Sequence, residues 1–168
     1  MKQEAIDFFF SRFNITFVEI EKLLGVALSK GGDYADLYFE YRVNNAVSLE
    51  EQLVKSANKS ISQGVGVRVN ADDKTGYAFT DEISFESIRR AALTAAHIAT
   101  QEEAVSPINV SQASNRHNLY PVDEPPSDVP VARKIELVRQ ADNHARQFDK
   151  RIREVQVSLL DEYKIIMI

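Results

Sequence analysis

The sequence predicts an α+β fold, with a mainly antiparallel sheet of about five to six strands and helices packed on one face. Three observations predict this class. Segments of helical period precede and follow the strand-like region, residues 35–81 change to a period of two, and short turn motifs separate the predicted strands where βαβ units would have helical crossovers. At 168 residues the chain can bury one hydrophobic core without disulfide or metal staples, so we predict a single domain over residues 1–168.

The first 32 residues predict two helices. Four apolar side chains recur at helical spacing and form one stripe of a short amphipathic helix: Ile6, Phe9, Phe10 and Phe13. Thr16 and Glu19 then match a capping box, in which each side chain satisfies a free backbone N–H at the start of the second helix. Gly31 and Gly32 supply the left-handed conformations that end it.

Residues 35–81 alternate apolar and polar side chains, the pattern of strands with one buried and one wetter face. We expect a four-stranded antiparallel meander. Its turns are predicted where Asn, Asp, Ser and Lys cluster, at residues 44–45, 56–59 and 71–75.

The second half of the chain predicts two helices and two further strands. Ser84 caps an Ala-rich helix, whose apolar face is Ile88, Ala91, Ala92, Ala95 and Ala99. Residues 104–129 lack either period and contain four of the five prolines, which predicts an extended connector within the domain. Asp128 caps the last helix, and strands at 155–159 and 163–168 meet at a turn near 161–162. Because the final strand is apolar and nothing follows it, we expect a fold that continues beyond Ile168.

Composition excludes several classes of site and partner. The chain has no Cys, which excludes thiolate zinc sites, Cys nucleophiles and disulfides and fits a cytoplasmic protein. A net charge of −5 argues against nucleic acid as a partner, and the basic cluster at 150–153 is interpreted as a solvated junction. No segment has the length of a membrane span, and the N-terminus lacks the pattern of a secretory signal.

The residues that could carry catalysis or bind a metal form no motif. His97, His117 and His144 have no second ligand at a chelating offset, and no nucleophile motif is present. Asp33 and Asp36 could be drawn as an acid/base pair, but two carboxylates near a Gly-Gly loop are expected to be solvated. We therefore predict no catalytic residue and no metal ligand in this chain.

The most distinctive local feature is a pair of glycines inside a predicted strand. Gly64, Gly66 and Arg68 share one strand face, and their run does not open a helix, so a dinucleotide loop is a weak interpretation. Glycine on a strand face indicates a bulge or a closely packed neighbour. Two interpretations remain open: a contact surface for a partner strand or peptide, and close packing of a helix on a flat sheet.

Three runs occur in order: GDYADLY at 32–38, SQGVGVRV at 62–69 and KTGYAFT at 74–80. Together they resemble the N-terminal domain of the TldD/PmbA family, with the Tyr77 segment similar to its TldD branch. The resemblance implies a zinc metalloprotease that acts as a homodimer or as a heterodimer with a family paralogue. It also implies a cytoplasmic protein that degrades or matures small unfolded peptides, under the older family name of modulator of DNA gyrase.

The family's zinc motif, HExxxH with a further cysteine ligand, belongs to the C-terminal half of longer chains, and neither part occurs here. Zinc is therefore expected only outside this chain, which we predict to be inactive alone. The resulting hypothesis is an N-terminal assembly and substrate-enclosing domain, with Gly64, Gly66, Arg68 and Tyr77 as peptide or partner contact or packing positions. The alternative is a stand-alone, non-catalytic binding module, and an HExxxH motif in the reading frame after Ile168 would distinguish the two. Direct binding of gyrase or DNA has only the older name in its favour.

Overall fold

A computed structural model describes residues 5–99, 122 and 124–168. Its helices are α1 (Ala5–Phe13), α2 (Phe17–Leu28), α3 (Phe85–Ala99) and α4 (Val131–Phe148), with a 3-10 turn at Pro126–Asp128. Its strands are β1 (Tyr34–Glu50), β2 (Leu53–Ala71), β3 (Lys74–Thr80) and β4 (Gln156–Met167). Within the described residues these strands form a sheet in the order β3-β2-β1-β4. The predicted α+β class is confirmed.

The predicted number of strands is wrong, because three predicted turns lie inside strands. Residues 44–45 belong to β1, 56–59 to β2 and 161–162 to β4, so the described part of the chain has four long strands in place of five or six. The Asn45 side chain is buried within β1 and donates a hydrogen bond to Asp161 Oδ1 at 2.7 Å. The hairpin between β1 and β2 instead turns at Glu51 and Gln52, where φ is 51° and 63°.

The predicted helix ends are largely confirmed. Thr16 and Glu19 form the capping box of α2, and Gly31 follows its end with a φ of 90°, whereas Gly32 is not left-handed as predicted. The Ser84 hydroxyl accepts the backbone N–H of Ser87 at the start of α3. Asp128 does not cap α4: it lies in the 3-10 turn, and Pro130 precedes α4 without a side-chain cap.

The chain divides into two compact units. Of the described residues, unit 1 contains 5–41, 62–99 and 165–168, and unit 2 contains 42–61, 122 and 124–164. The predicted extent of the domain, residues 1–168, stays a prediction. Most of the predicted connector at 104–129 lies outside the described residues.

Unit 1 has helices on one face of its strands. The predicted Ala-rich face of α3 is buried, and α3 packs against β3 and α2. Gly76 in β3 marks the contact, since a Cβ atom there would lie 1.9 Å from the backbone oxygen of Ala95. The residues beside Gly76 in β3 therefore point away from α3, because side chains alternate across a strand.

Helix α1 adds aromatic packing to unit 1. Phe9 is fully buried, and its ring centroid lies 5.5 Å from that of Phe39. The neighbouring ring of Phe8 lies 5.0 Å from that of Tyr41. Of the predicted apolar stripe of α1, only Phe9 is buried.

Unit 2 has its own apolar core under α4. Val138 packs with Val47 and Leu49, and four partly buried side chains surround them: Val54, Ile135, Val157 and Leu159. Beside this core the Lys134 ammonium lies 2.8 Å from Asp161 Oδ2 and donates to the backbone oxygen of Pro126 at 2.8 Å.

The Lys134–Asp161 pair is almost withdrawn from water, with 4% and 16% of the side chains exposed. Partial burial raises the pKa of Asp161, but the hydrogen bonds from Lys134 and Asn45 lower it by more, so this pKa lies below the ordinary range of an aspartate. The ionised carboxylate is therefore the form that the folded unit holds.

Candidate functional site

The face of unit 1 opposite α3 exposes aromatic rings. Strands β2 and β3 pair antiparallel, with Gly66 opposite Phe79 and Arg68 opposite Tyr77. Tyr77 is 57% exposed and Phe79 is 75% exposed. Neither ring belongs to the helix-covered core, so this sheet face exposes apolar surface.

A shallow groove of about 270 Å³ lies on this face. Its lining comes from three strands and the residue after β3: Tyr38, Glu40, Ser62, Gln63, Gly64, Val65, Gly66, Tyr77, Phe79, Thr80 and Asp81. Strand β2 lies between β1 and β3. Because neighbouring strands are about 4.8 Å apart, side chains on β1 and β3 form walls roughly 10 Å apart. Between these walls Gly64 carries no side chain, while the Tyr77 ring lies along Gly66.

The two glycines are required by different neighbours. A Cβ atom at Gly64 would lie 2.7 Å from the backbone oxygen of Thr80, so this position permits the close approach of β3. A Cβ atom at Gly66 would lie 2.6 Å from the Tyr77 hydroxyl, whose ring lies along the glycine. The nearest atoms to both glycines belong to β3 and its end, and none belongs to a helix.

This difference predicts unequal costs for two alanine substitutions. We expect Gly64→Ala to lower the free energy of unfolding by about 1 to 3 kcal/mol, because the contacting atom is backbone and cannot rotate away. Gly66→Ala is expected to change it by less than about 1 kcal/mol, because the exposed Tyr77 ring can rotate and alanine suits a strand better than glycine. Urea unfolding followed by circular dichroism measures both. An equal or larger loss for Gly66→Ala would contradict the assignment.

The groove lining is acidic. It includes the carboxylates of Glu40 and Asp81 and contains neither lysine nor arginine. The Tyr38 hydroxyl donates to Glu40 Oε2 at 2.8 Å, which orients that carboxylate beside the groove.

Arg68 lies on the same sheet face but outside the groove lining. Its Nε donates to Asp36 Oδ2 at 3.0 Å, a second contact joins Nη2 to the same oxygen, and the guanidinium carbon lies 5.9 Å from the Tyr34 ring centroid. The hydrogen bond to Asp36, followed by the charge of that carboxylate, raises the pKa of Arg68. The cation of Arg68 is thus already paired within the sheet.

The structure brings together three of the four residues that the sequence singled out. Gly64, Gly66 and Tyr77 line the groove, and Arg68 lies beside it, directly opposite Tyr77 across the strand pair. The sequence interpretation did not single out the other eight lining residues, whose aromatic and acidic members are Tyr38, Glu40, Phe79 and Asp81. A signal existed, since Phe79 and Asp81 follow Tyr77 at the two-residue period of a strand face.

Asp33 and Asp36 have separate structural partners. The Asp33 carboxylate accepts the backbone N–H of Asp72 at 2.7 Å and so closes the turn after β2. Asp36 is bound by Arg68, as described above. The geometry gives no support to the interpretation of Asp33 and Asp36 as an acid/base pair.

Residues 35–99, which contain the whole groove, match the family model described as PmbA/TldA metallopeptidase domain 1. A metalloprotease TldD homolog of Haemophilus influenzae is 30% identical over 157 residues, which are 92% of this chain and 32% of that protein. The chain belongs to the PmbA/TldD family. A second metalloprotease TldD homolog, from Buchnera aphidicola of Schizaphis graminum, is 29% identical over 81% of this chain and 28% of that protein. The chain therefore spans about a third of the length of these relatives.

Two solved structures share the fold of this chain. A Bacteroides thetaiotaomicron protein proposed to be a modulator of DNA gyrase superimposes with a TM-score of 0.61 at 15% identity, covering 89% of this chain and 36% of that one. TldE from Thermococcus kodakarensis superimposes with a TM-score of 0.59 at 18% identity, covering 88% and 34%. At these identities the likeness concerns the fold alone.

The metalloprotease relatives imply zinc in the family, but the residues of this PmbA/TldD chain do not fit a zinc site. Among the described residues, no three His, Asp or Glu side chains converge, and the sequence has no cysteine. His97 lies in α3 and His144 in α4, while His117 lies outside the described residues. No helix in the described part of the chain is long and apolar enough to span a membrane.

Proposed function

We propose that this chain is the N-terminal assembly and substrate-enclosing domain of a TldD-like zinc metalloprotease that degrades or matures small unfolded peptides. The zinc site of that enzyme lies outside this chain. The groove of unit 1 contacts the peptide, with Gly64, Gly66 and Tyr77 at its floor and wall and Arg68 beside it. The observation that carries the proposal is this low-floored, aromatic-walled groove within the residues that match family domain 1.

The groove suits an extended polypeptide. At Gly64 the floor has no side chain, which lets a peptide backbone approach the sheet closely, and the Tyr77 ring along Gly66 offers an apolar contact beside it. The exposed rings of Tyr77 and Phe79 offer apolar contact that does not depend on one particular peptide sequence. A protease that acts on unfolded peptides needs contacts of this kind, because its substrates have the peptide backbone in common but differ in their side chains.

The assembly part of the proposal is a dimer with a second family member. TldE from Thermococcus kodakarensis shares the fold of this chain, which is consistent with a pair of similarly folded subunits. Either a second copy or a paralogue would complete the enclosure of the peptide. Size-exclusion chromatography with light scattering, with and without a co-expressed paralogue, measures the assembled mass.

The peptide role predicts binding that depends on the exposed rings. A fluorescein-labelled unfolded peptide should bind the 168-residue chain, and Phe79→Ala should raise its Kd about tenfold because an aromatic contact is lost. Fluorescence anisotropy gives the Kd. Phe148→Ala is the matched control, since Phe148 is 88% exposed but lies in unit 2, outside the groove.

Two outcomes would contradict the proposal. Equal Kd values for the parent chain and Phe79→Ala would remove the groove as the peptide contact. Chelator-sensitive peptide hydrolysis by the purified chain would show that it carries the zinc site itself, against the proposed division of roles.

A further inference from the structure

We propose that Arg68 binds the C-terminal carboxylate of the peptide that occupies the groove of unit 1. This inference rests on the proposed peptide contact and adds a direction to it, because the peptide lies along β2 and ends at Arg68. The occupant is an extended peptide with a free C-terminus, and the charges at the two ends of the groove point to it.

The groove is closed at one end. Its floor follows β2 from Ser62 to Gly66, and Arg68 is the next residue of that face, about 7 Å beyond Gly66. Arg68 lies directly opposite Tyr77 on β3 and is bonded to Asp36 on β1. Three strands therefore place side chains across the path of a peptide at this end. A peptide that lies along the glycines would end there, so its terminus meets Arg68.

The ion pair with Asp36 uses only part of the Arg68 guanidinium. A guanidinium has five N–H donors in a planar fork. Asp36 Oδ2 accepts two of them, one from Nε at 3.0 Å and one from Nη2. Tyr34 makes a smaller hydrogen-bond contribution to the raised pKa of Arg68. With one N–H assigned to Tyr34, two remain on a side chain that is 51% exposed, enough for the two oxygens of a carboxylate.

The neighbours of Arg68 orient the donors at this end. Two bonds to one oxygen of Asp36, itself only 13% exposed, restrict the guanidinium. An arginine held in this way loses little side-chain freedom when it binds a ligand. The Tyr77 hydroxyl is a second donor, since it lies 2.6 Å from the position that a Cβ atom would take on Gly66. A carboxylate here therefore meets N–H and O–H donors from two strands.

The charges at the two ends of the groove differ. Asp81 lies beside Gly64, at the end away from Arg68, because its Cα atom would be 3.5 Å from a Cβ atom on Gly64. A C-terminal carboxylate meets a cation, partly neutralised by Asp36, at one end and a repelling carboxylate at the other. The favoured orientation therefore places the C-terminus at Arg68.

Three peptides of one sequence, each with a fluorophore at the N-terminus, test this anchor. One has a free C-terminal carboxylate, one a C-terminal amide, and one is an amide with glutamate in place of a central serine. At low ionic strength, fluorescence anisotropy should give a Kd for the free acid about fivefold lower than for the amide, because amidation removes a charge-assisted hydrogen bond. The glutamate peptide should bind like the amide. Salt near physiological strength should narrow the difference, because screening acts on partly exposed charges.

Arg68→Gln and Asp36→Asn separate a binding role from a structural one. Arg68→Gln removes the cation and should make the Kd values of the free acid and the amide equal. Asp36→Asn keeps an acceptor for Arg68 but removes the competing charge, so the preference for the free acid should increase at least twofold. A purely structural ion pair would instead give the same direction of change in both variants. Arg89→Gln is the matched control, because Arg89 is also partly exposed and paired with one carboxylate but lies in α3.

The outcomes separate the two proposals. Equal Kd values for the free acid and the amide, or an unchanged preference in Arg68→Gln, would overturn the anchor and leave the peptide contact standing. Loss of the preference in Asp36→Asn would also overturn it, and this variant decides if Arg68→Gln shifts the urea midpoint. A glutamate peptide that binds as tightly as the free acid would overturn the C-terminal contact in favour of acidic side chains. Failure of all three peptides to bind would overturn the proposed peptide contact, and the anchor with it.

Discussion

Gly76→Ala should lower the free energy of unfolding by about 3 kcal/mol or more, the largest effect expected for a single methyl group in this chain. The new Cβ atom would lie 1.9 Å from the backbone oxygen of Ala95 and 2.8 Å from the backbone nitrogen of Ala99. Both atoms belong to α3, so the helix as a whole has to move away from β3. Urea unfolding monitored by circular dichroism measures the loss.

Gly25→Ala is the matched control for this prediction. Gly25 lies inside α2, and a Cβ atom there would have no neighbour within 4 Å. Alanine in a helix interior is more favourable than glycine by about 0.5 to 1 kcal/mol, so the control should stabilise the chain. Unchanged stability of Gly76→Ala would mean that α3 does not pack on β3 as described.

Lys134→Met should lower the free energy of unfolding by about 3 to 5 kcal/mol, the usual cost of removing one partner of a buried ion pair. The substitution leaves the Asp161 carboxylate and the Pro126 backbone oxygen without the ammonium group that both contact. Methionine preserves most of the volume, so the loss reports on charge and hydrogen bonding. The control is Lys55→Met, also in unit 2, whose exposed pair with Glu51 should contribute less than about 0.5 kcal/mol.

The same pair predicts a pH dependence. Because the folded-state pKa of Asp161 lies below its ordinary value, the stabilisation from its ionised form is complete above about pH 4. It is lost as the pH falls below that value through the folded-state pKa. Unfolding free energies at about pH 7 and pH 3 should therefore differ more in the parent chain than in Lys134→Met. An equal difference in both would assign the acid sensitivity to other carboxylates.

The position of the first turn shows where the sequence interpretation failed and why. A two-residue turn at 44–45 would put Val43 opposite Ala46, so Val43 would share a face with Ala46 while Val47 pointed to the other side. In the structure Val43 and Val47 are both buried, and burial alternates without a break from Leu37 to Leu49. The apolar residues keep their two-residue alternation through positions 44–45, and this alternation predicted the continuous strand better than the turn preference of asparagine predicted a hairpin.

Long-range partners of a polar residue explain the misplaced turn at 161–162. Asp161 and Glu162 look like turn residues, yet Asp161 lies within β4 and is held by Asn45 and Lys134. These partners come from β1 and α4, so no pattern within β4 could have indicated them. A polar residue inside a strand needs a long-range partner, which only the folded chain supplies.

The same dependence on long-range contacts explains why only part of the candidate site was predicted. Gly64, Gly66 and Tyr77 were found because glycine inside a strand and a tyrosine-bearing family run are visible in the sequence. Glu40 was not predicted as a site residue, although it lies on the predicted wetter face of its strand. Its position in the groove with Gly64 depends on the strand order β3-β2-β1, which the sequence does not show.

Periodicity, capping residues and short motifs are local along the chain, and they were enough to predict the α+β class, most of the helix ends and the resemblance to the family. Tertiary structure decided which face of the sheet α3 covers, how long the strands run and which carboxylates line the groove. Those features depend on strand register and on contacts between residues distant in sequence. The groove exists only in the folded chain, because three strands supply its lining and α3 covers the opposite face of the sheet.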